Sequence, residues 1–302
     1  MSREEQYQID LEKRIATYAT RLKKLFGSVT SSIIKEVAML YAKHAETNEE
    51  YPSFLYSAIQ LEQIMQMIQK ILFDLGAQEE AQLRAVWGEE YKRSLYHHLY
   101  FIEEDFGVSV NVPMLNGPMI LAAVEHKWEG RHFSKRIRLR TDLLAAAIED
   151  VITRASVQGW GVTRTSKEIM IRTTESWSNA VRLARTELNR AAAQGQSLAY
   201  QANSDIIEAK EFCATLDTKT SKVCRKVDGK KFPLDYDTPA NPGKEGERIP
   251  NHPNCRSYWR PVMKSKVLES LERERAYKFG KESGYTKART YEEWAKEKGI
   301  AT

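Results

Sequence analysis

Apolar residues along the first two-thirds of the chain recur at three- and four-residue steps, the period of one face of an α-helix. Leu11, Ile15, Tyr18, Leu22, Phe26, Val29, Ile33, Val37 and Leu40 form one such stripe and predict a long amphipathic helix, with Gly27 as a point of interruption. Pro52 and Ser53 supply a start signal for a second helix, striped by Leu61, Ile64, Met65, Ile68, Leu72 and Leu75, which Gly76 is expected to end. Met65 and Met67 read as core or packing positions. Leu83, Trp87, Tyr91, Leu95, Leu99, Ile102 and Phe106 predict a third helix.

The run from Gly107 to Pro118, GVSVNVPMLNGP, breaks this period with two prolines and an Asn116-Gly117 turn signal, and is expected to act as a hinge or boundary. A short helix from about Met119 to Trp128 follows. Ser134 then caps a helix carrying Ile137, Leu144, Ile148 and Val151 to a stop near Gly159, and another helix runs from about Ser178 to Gln201.

Beyond Ile206 the pattern changes to short alternating runs. KEFCATLD reads as a strand, TKTSKVC as a polar connection, DGKKFPL as a turn followed by a second short strand, and IPNHPNCRSYWRPV as the closing segment. An exposed loop, 236–248, separates the halves of this unit, and a charged helical tail follows Pro261, expected either to pack against a larger assembly or to remain mobile. The fold class is therefore mainly α, with long helices in the N-terminal two-thirds and a small α+β (β-hairpin) C-terminal domain bearing a possible metal knuckle. The expected divisions are an N-terminal helical domain over 1–106, a hinge over 107–118, a helical middle section over 119–203, a β-rich Cys/His motif over 204–262 and a charged tail over 263–302.

Composition narrows this picture only slightly. With 42% hydrophobic and 29% charged residues the chain reads as globular, neither disordered nor collagen-like. The net charge of +5 is concentrated: Arg131 to Arg190 holds twelve Lys/Arg against six Asp/Glu. Such a strip suits double-stranded DNA, where neutralised phosphates release counterions, with Arg136, Arg138, Arg140, Arg154, Arg164 and Arg172 as the contact candidates; it equally suits a solvated helix face. The opening MSREEQYQIDLEKR has no apolar leader, and no run approaches a membrane span, so neither secretion nor insertion is expected. Three cysteines exclude a complete disulfide framework and fit a reducing cytoplasm.

The chemistry-bearing residues gather near the C-terminus. Cys224, His252 and Cys255 are preferred zinc ligands, and a structural zinc would staple a β-unit too small to hold itself. Cys213 or Asp217 are the candidates for a fourth ligand, because Ser221 stands where a C-x₂-C pair would put another cysteine. Buried cysteines with a hydrogen-bonded histidine remain the alternative. Asp217, Asp228 and His252 can also be read as an acid/base set of a nuclease or toxin-like enzyme, against which Asp228-Gly229 is a tight-turn pair and Asp217 suits an Asx turn. The zinc-deaminase spacing is absent, as are phosphate-loop, dinucleotide, nucleophile-elbow and zinc-protease motifs. On VRLARTELN, Arg182, Arg185 and Glu187 form either a phosphate or carboxylate clamp or an ion-pair set. His97, His98, His126 and His132 read as packing or surface residues.

Taken in order, ARTELNRAAAQGQSLAY, ATLDTKTSKVC, VDGKKFP and HPNCRS resemble the phage head morphogenesis family, named for phage Mu protein F and its minor capsid relatives. The resemblance covers about Arg182 to Pro261. Family members often carry C-x₂-C and a terminal CRC, whereas this chain has Ser221 and Ser257 at those positions. The matching positions are Arg185, Thr186, Glu187, Asp217, Cys224, Asp228, Gly229, Lys230, His252, Cys255 and Arg256. The resemblance implies a non-enzymatic minor head protein inside the virion near the portal, assembled in the host cytoplasm. Its implied partners are the portal protein, a coat or scaffold protein and packaged DNA, with a role in head morphogenesis and in DNA packaging or ejection.

Overall fold

The computed structural model describes residues 2–45, 58–127, 130–238, 240–270 and 289–300. Pro52, Ser53 and Trp128, with residues 271–288 of the charged tail, lie outside the described residues.

Helix α1 spans Arg3–Ala45. Its start is fixed by a reciprocal cap, in which Ser2 Oγ accepts from the Glu5 amide at 3.1 Å and the Glu5 carboxylate accepts from the Ser2 amide at 2.9 Å. Gly27 does not interrupt it: the residue is exposed, the space where a Cβ would stand is open, and a solvent-facing glycine costs a helix only about 1 kcal/mol. The two helices expected after it are one, α2, Ala58–Phe106. Gly76 is not a stop but a packing position, since a Cβ there would meet the Thr141 methyl at 3.4 Å. Met65 is buried and Met67 exposed.

Helix α3, Gly117–Glu125, corrects the reading of Asn116-Gly117 as a turn: the Asn116 side chain accepts from the Met119 amide and Pro118 occupies the first turn, so the pair opens a helix. Helix α4, Phe133–Gln158, begins earlier than expected because His132, not Ser134, is its cap, and Gly159 ends it in the left-handed conformation at φ 65°. Helix α5, Val162–Ala202, starts a full 16 residues before the expected Ser178. Its first turns bury Thr165, Ile169, Thr173 and Ser176 at helical spacing. The hydroxyls of Thr165 and Thr173 bond the carbonyls of Gly161 and Ile169, each at 3.1 Å, which lets polar residues serve a buried stripe.

The chain divides into two compact units, residues 14–84 with 127–184, and residues 1–13 with 85–126 and 185–302. The core of the first is built on Leu22, Ile33, Ile68, Phe133 and Ile148. It also holds a buried ion pair, Arg140 Nη1 to Glu79 Oε1 at 2.7 Å, with the guanidinium over the Phe26 ring.

The second unit carries the sheet. Strands β1 (Ile207–Cys213), β2 (Lys231–Phe232) and β3 (Tyr258–Met263) are ordered β2-β1-β3, all antiparallel, so the expected hairpin gains a third strand. β1 pairs Phe212 with Trp259 and Cys213 with Tyr258. The polar connection TKTSKVC is corrected too: Ser221 accepts from the Cys224 amide and opens a short helix, α6, Lys222–Val227. Lys210 on β1 is wholly buried; its Nζ donates to Ser197 Oγ at 2.7 Å over the Trp259 ring, and burial pulls its pKa down to about 8.

Part of the tail is docked on this unit. Helix α7, Tyr291–Glu297, has a reciprocal Thr290–Glu293 cap, buries Trp294 and stacks Tyr291 on His97 at 3.8 Å. Arg289 bonds Glu103 and Glu104 of α2 at 3.0 and 2.9 Å. Among the described residues no helix is long and apolar enough to cross a membrane.

Candidate metal centre

Three local devices bring the Cys/His residues together. The Ser221 cap starts α6 so that Cys224 is buried on its inner face. In HPNC, the Cys255 amide donates to the His252 carbonyl at 3.1 Å, and Asn254 takes φ 63°, a turn that sends the His252 and Cys255 side chains to one side. Helix α5 then seats that turn: Thr186 Oγ1 accepts from the Asn254 amide at 3.3 Å and Asn189 Nδ2 donates to the Ser257 carbonyl at 3.2 Å.

Cys224 Sγ stands 3.2 Å from His252 Nε2 and 3.8 Å from Cys255 Sγ, and the three donor atoms lie within 4.8 Å of one another. His252 Nδ1 lies 2.8 Å from the Pro253 carbonyl, to which its N–H donates, leaving Nε2 facing the sulfurs. The hydrogen bond from Cys255 pulls the Cys224 thiol below the usual thiol range, while burial opposes. Cys255 is pushed well up, first by the same pairing with Cys224 and then by burial. Two cysteine sulfurs beside an imidazole nitrogen are a donor set that suits zinc, whose binding would displace the thiol protons.

The proposed fourth ligands are not there. Cys213 sits on β1 with its thiol 3.9 Å from the Glu211 carbonyl, and burial pushes its pKa up to about 12. Asp217 accepts two bonds from Arg256, at 2.7 and 2.6 Å, and one from the Lys219 amide at 2.8 Å. Arg256 holds its carboxyl well below the usual carboxylate range. Among the described residues the cluster with ligand spacing contains neither. The donors therefore fit a three-ligand site whose fourth position faces a shallow cleft lined by Thr215, Lys219, Ser221, Arg256 and Ser257. A closed structural zinc site has four protein ligands, so this set falls one short.

The acid/base set is likewise dispersed. Asp217 is bound to Arg256, and Asp228 Oδ1 accepts from the Ala214 amide at 2.8 Å while Gly229, at φ 76°, makes the turn into β2. Lys230 pairs with Glu247 at 3.2 Å. The α5 residues expected to cluster have other partners: Arg185 pairs with Glu12 at 3.2 Å, and Glu187 with Arg190 at 2.8 Å. Arg190 also lies over the Trp87 ring and donates to the His126 carbonyl at 3.0 Å.

The basic candidates separate by environment. Arg138 is exposed. Arg154 and Arg172 pair with Asp150 and Glu175 on their own helices, Arg164 stacks on Trp160 at 4.1 Å, Arg136 is half-buried, and Arg140 is taken up by Glu79. Asn251 escaped the sequence reading: its amide reaches Cys224 Sγ at 3.8 Å, while Ser257, noted only for standing where the family has a cysteine, lines the cleft beside it. The signal for Asn251 was adjacency to HPNC.

Residues 146–259 match the family described as Phage Mu protein F like protein. The chain is 25% identical to the minor head protein GP7 of Bacillus phage SPP1 over 261 residues, 82% of each chain. It is 23% identical over 228 residues to an Enterococcus faecalis protein named as the NAD(+)–arginine ADP-ribosyltransferase EFV, a match covering 73% of this chain and 46% of that one. The chain thus spans about half the length of the Enterococcus protein. No solved structure gives a significant match.

Proposed function

We propose, from the match of residues 146–259 to the phage Mu protein F like family and the 25% identity to a phage minor head protein, that this chain is a minor head protein of that family and a non-enzymatic component of the phage head. In this proposal it sits near the portal, contacts coat or scaffold and portal proteins, and meets packaged duplex DNA through its basic middle section.

The observation that carries the reading is the use made of the motif residues. Thr186 holds the HPNC turn, Glu187 is neutralised by Arg190, Asp217 by Arg256, and Asp228 caps the strand-to-turn junction. Side chains consumed in this way build a scaffold, and the two candidate carboxylates, Asp217 and Asp228, are held by Arg256 and the Ala214 amide. Zinc, where bound, would be held by Cys224, His252 and Cys255, and would supply cross-linking of α6 to the HPNC turn.

Fractionation of purified particles tests the location: the chain is expected in DNA-filled heads at fewer copies than the coat protein, and its absence from heads would remove the proposal. For the duplex contact, affinity without sequence preference that falls steeply with salt is expected, and salt-insensitive binding would sink that half. The ADP-ribosyl transfer named for the Enterococcus protein is expected to be absent here, because about half of that protein lies outside the match. Label transfer from NAD⁺ to an arginine substrate would reverse that expectation.

A further inference from the structure

We infer that Cys224 and Cys255 form a hydroperoxide-reactive thiol pair, in which Cys224 takes the oxidising equivalent and Cys255 resolves it as a disulfide. The inference uses the same side chains as the proposed metal centre, so the disulfide and the metal exclude each other.

The arrangement is asymmetric in the way such chemistry requires. Cys224 lines the cleft with Ser221, His252 and Arg256 and Cys255 does not, although both are buried, at 2% and 1% exposure. The two sulfurs are 3.8 Å apart, so side-chain rotation rather than backbone movement is what closure asks for. His252 Nε2 lies 3.2 Å from Cys224 Sγ and lines the same cleft. Cys213, the third free cysteine, has no sulfur neighbour in this cluster and provides an internal control.

The steps balance with a hydroperoxide as the oxidant. Cys224 Sγ attacks the terminal oxygen of the O–O bond; that bond breaks, and the departing oxygen takes the proton that left Cys224 and leaves as water or an alcohol. Cys224 is then a sulfenic acid. Cys255 Sγ attacks Cys224 Sγ, the S–O bond breaks, and the hydroxide leaves as water with the Cys255 proton. One peroxide is reduced by two electrons, and two thiols become one disulfide.

The test oxidises the full reduced chain with hydrogen peroxide, once as purified and once after metal removal by a chelator, with metal content measured separately. Peptide masses are expected to show the 224–255 link in the stripped sample while Cys213 stays reduced, and Cys224 is expected to react at least about tenfold faster than Cys213. In Cys255→Ser, folded by circular dichroism, dimedone is expected to trap Cys224 as the sulfenic acid. A stripped pair that stays reduced, or Cys213 reacting as fast, overturns the inference. Metal found in the untreated protein together with that failure would leave the metal proposal standing.

Discussion

Gly195 on α5 lies so close to α2 that a Cβ there would stand 2.5 Å from the Tyr91 carbonyl oxygen and 2.9 Å from the Leu95 amide nitrogen. Neither atom can move without breaking the α2 hydrogen-bond ladder, and Ser94 Oγ already ties the two helices by donating to the Ala192 carbonyl at 2.7 Å. Gly195→Ala is therefore expected to force the helices apart and cost about 1–3 kcal/mol, the usual penalty for overpacking. Urea unfolding checks it; an unchanged midpoint would mean that the close approach does not exist in solution.

The same helix pair contains a pH-dependent element. His98 is fully buried: its Nδ1–H donates to the Ser94 carbonyl at 2.6 Å, and Nε2 accepts from Gln196 Nε2 at 2.8 Å. Gln196 Oε1 in turn accepts from the Trp259 amide at 3.1 Å. Burial drives the His98 pKa down to about 3, and burial also lowers His126. Below about pH 6.5 the unfolded chain takes up protons that the folded chain refuses. Stability present at pH 7.5 is thus expected to fall as pH drops from about 6.5 toward 5, by up to about 1.4 kcal/mol per unit for His98, with His126 acting in the same direction. That window lies above the carboxylate range. His98→Gln should flatten the slope in urea titrations, and a slope unaffected by this change would contradict the assignment.

Two arginines two residues apart on α4, and so on opposite sides of the helix, are expected to behave oppositely. Arg140 is paired with the buried Glu79, so Arg140→Ala should strand that carboxylate and cost about 3–5 kcal/mol. Arg138 is exposed, so Arg138→Ala should leave the unfolding midpoint nearly unchanged and, under the proposed duplex contact, weaken DNA binding and shallow its salt dependence. Melting curves and salt titrations on the two variants separate these effects. Equal destabilisation by both would remove the distinction.

What the sequence revealed depended on whether a residue acts through periodicity or through its partner. Leu11, Ile15 and Leu22 announce α1 by spacing alone, and all three are buried as expected. Thr165 and Thr173 hide the first half of α5, because a hydroxyl bonded to its own helix can be buried yet reads as polar. Gly76 and Gly27 mislead for a related reason: glycine stops a helix only where a left-handed residue is needed, and neither position has a positive φ. In the Cys/His unit, Cys224, His252 and Cys255 were visible as ligand types, whereas the pairing of Asp217 with Arg256 spans 39 positions and leaves no local trace.

Ser221 opens α6 and lines the cleft beside Cys224, three positions along the chain, where a second cysteine would form a C-x₂-C pair. Ser221→Cys would exchange a good helix cap for a fourth sulfur, a loss of about 1 kcal/mol from the cap against a closed tetrahedral donor set. If Cys224, His252 and Cys255 hold zinc, the variant is expected to retain it about tenfold or more tightly against a chromophoric chelator, and to lose in apo stability what the cap contributed. Titration of both proteins with the same chelator decides it: a weaker apo fold with no gain in zinc retention would show that the three residues do not form the corner of a metal site.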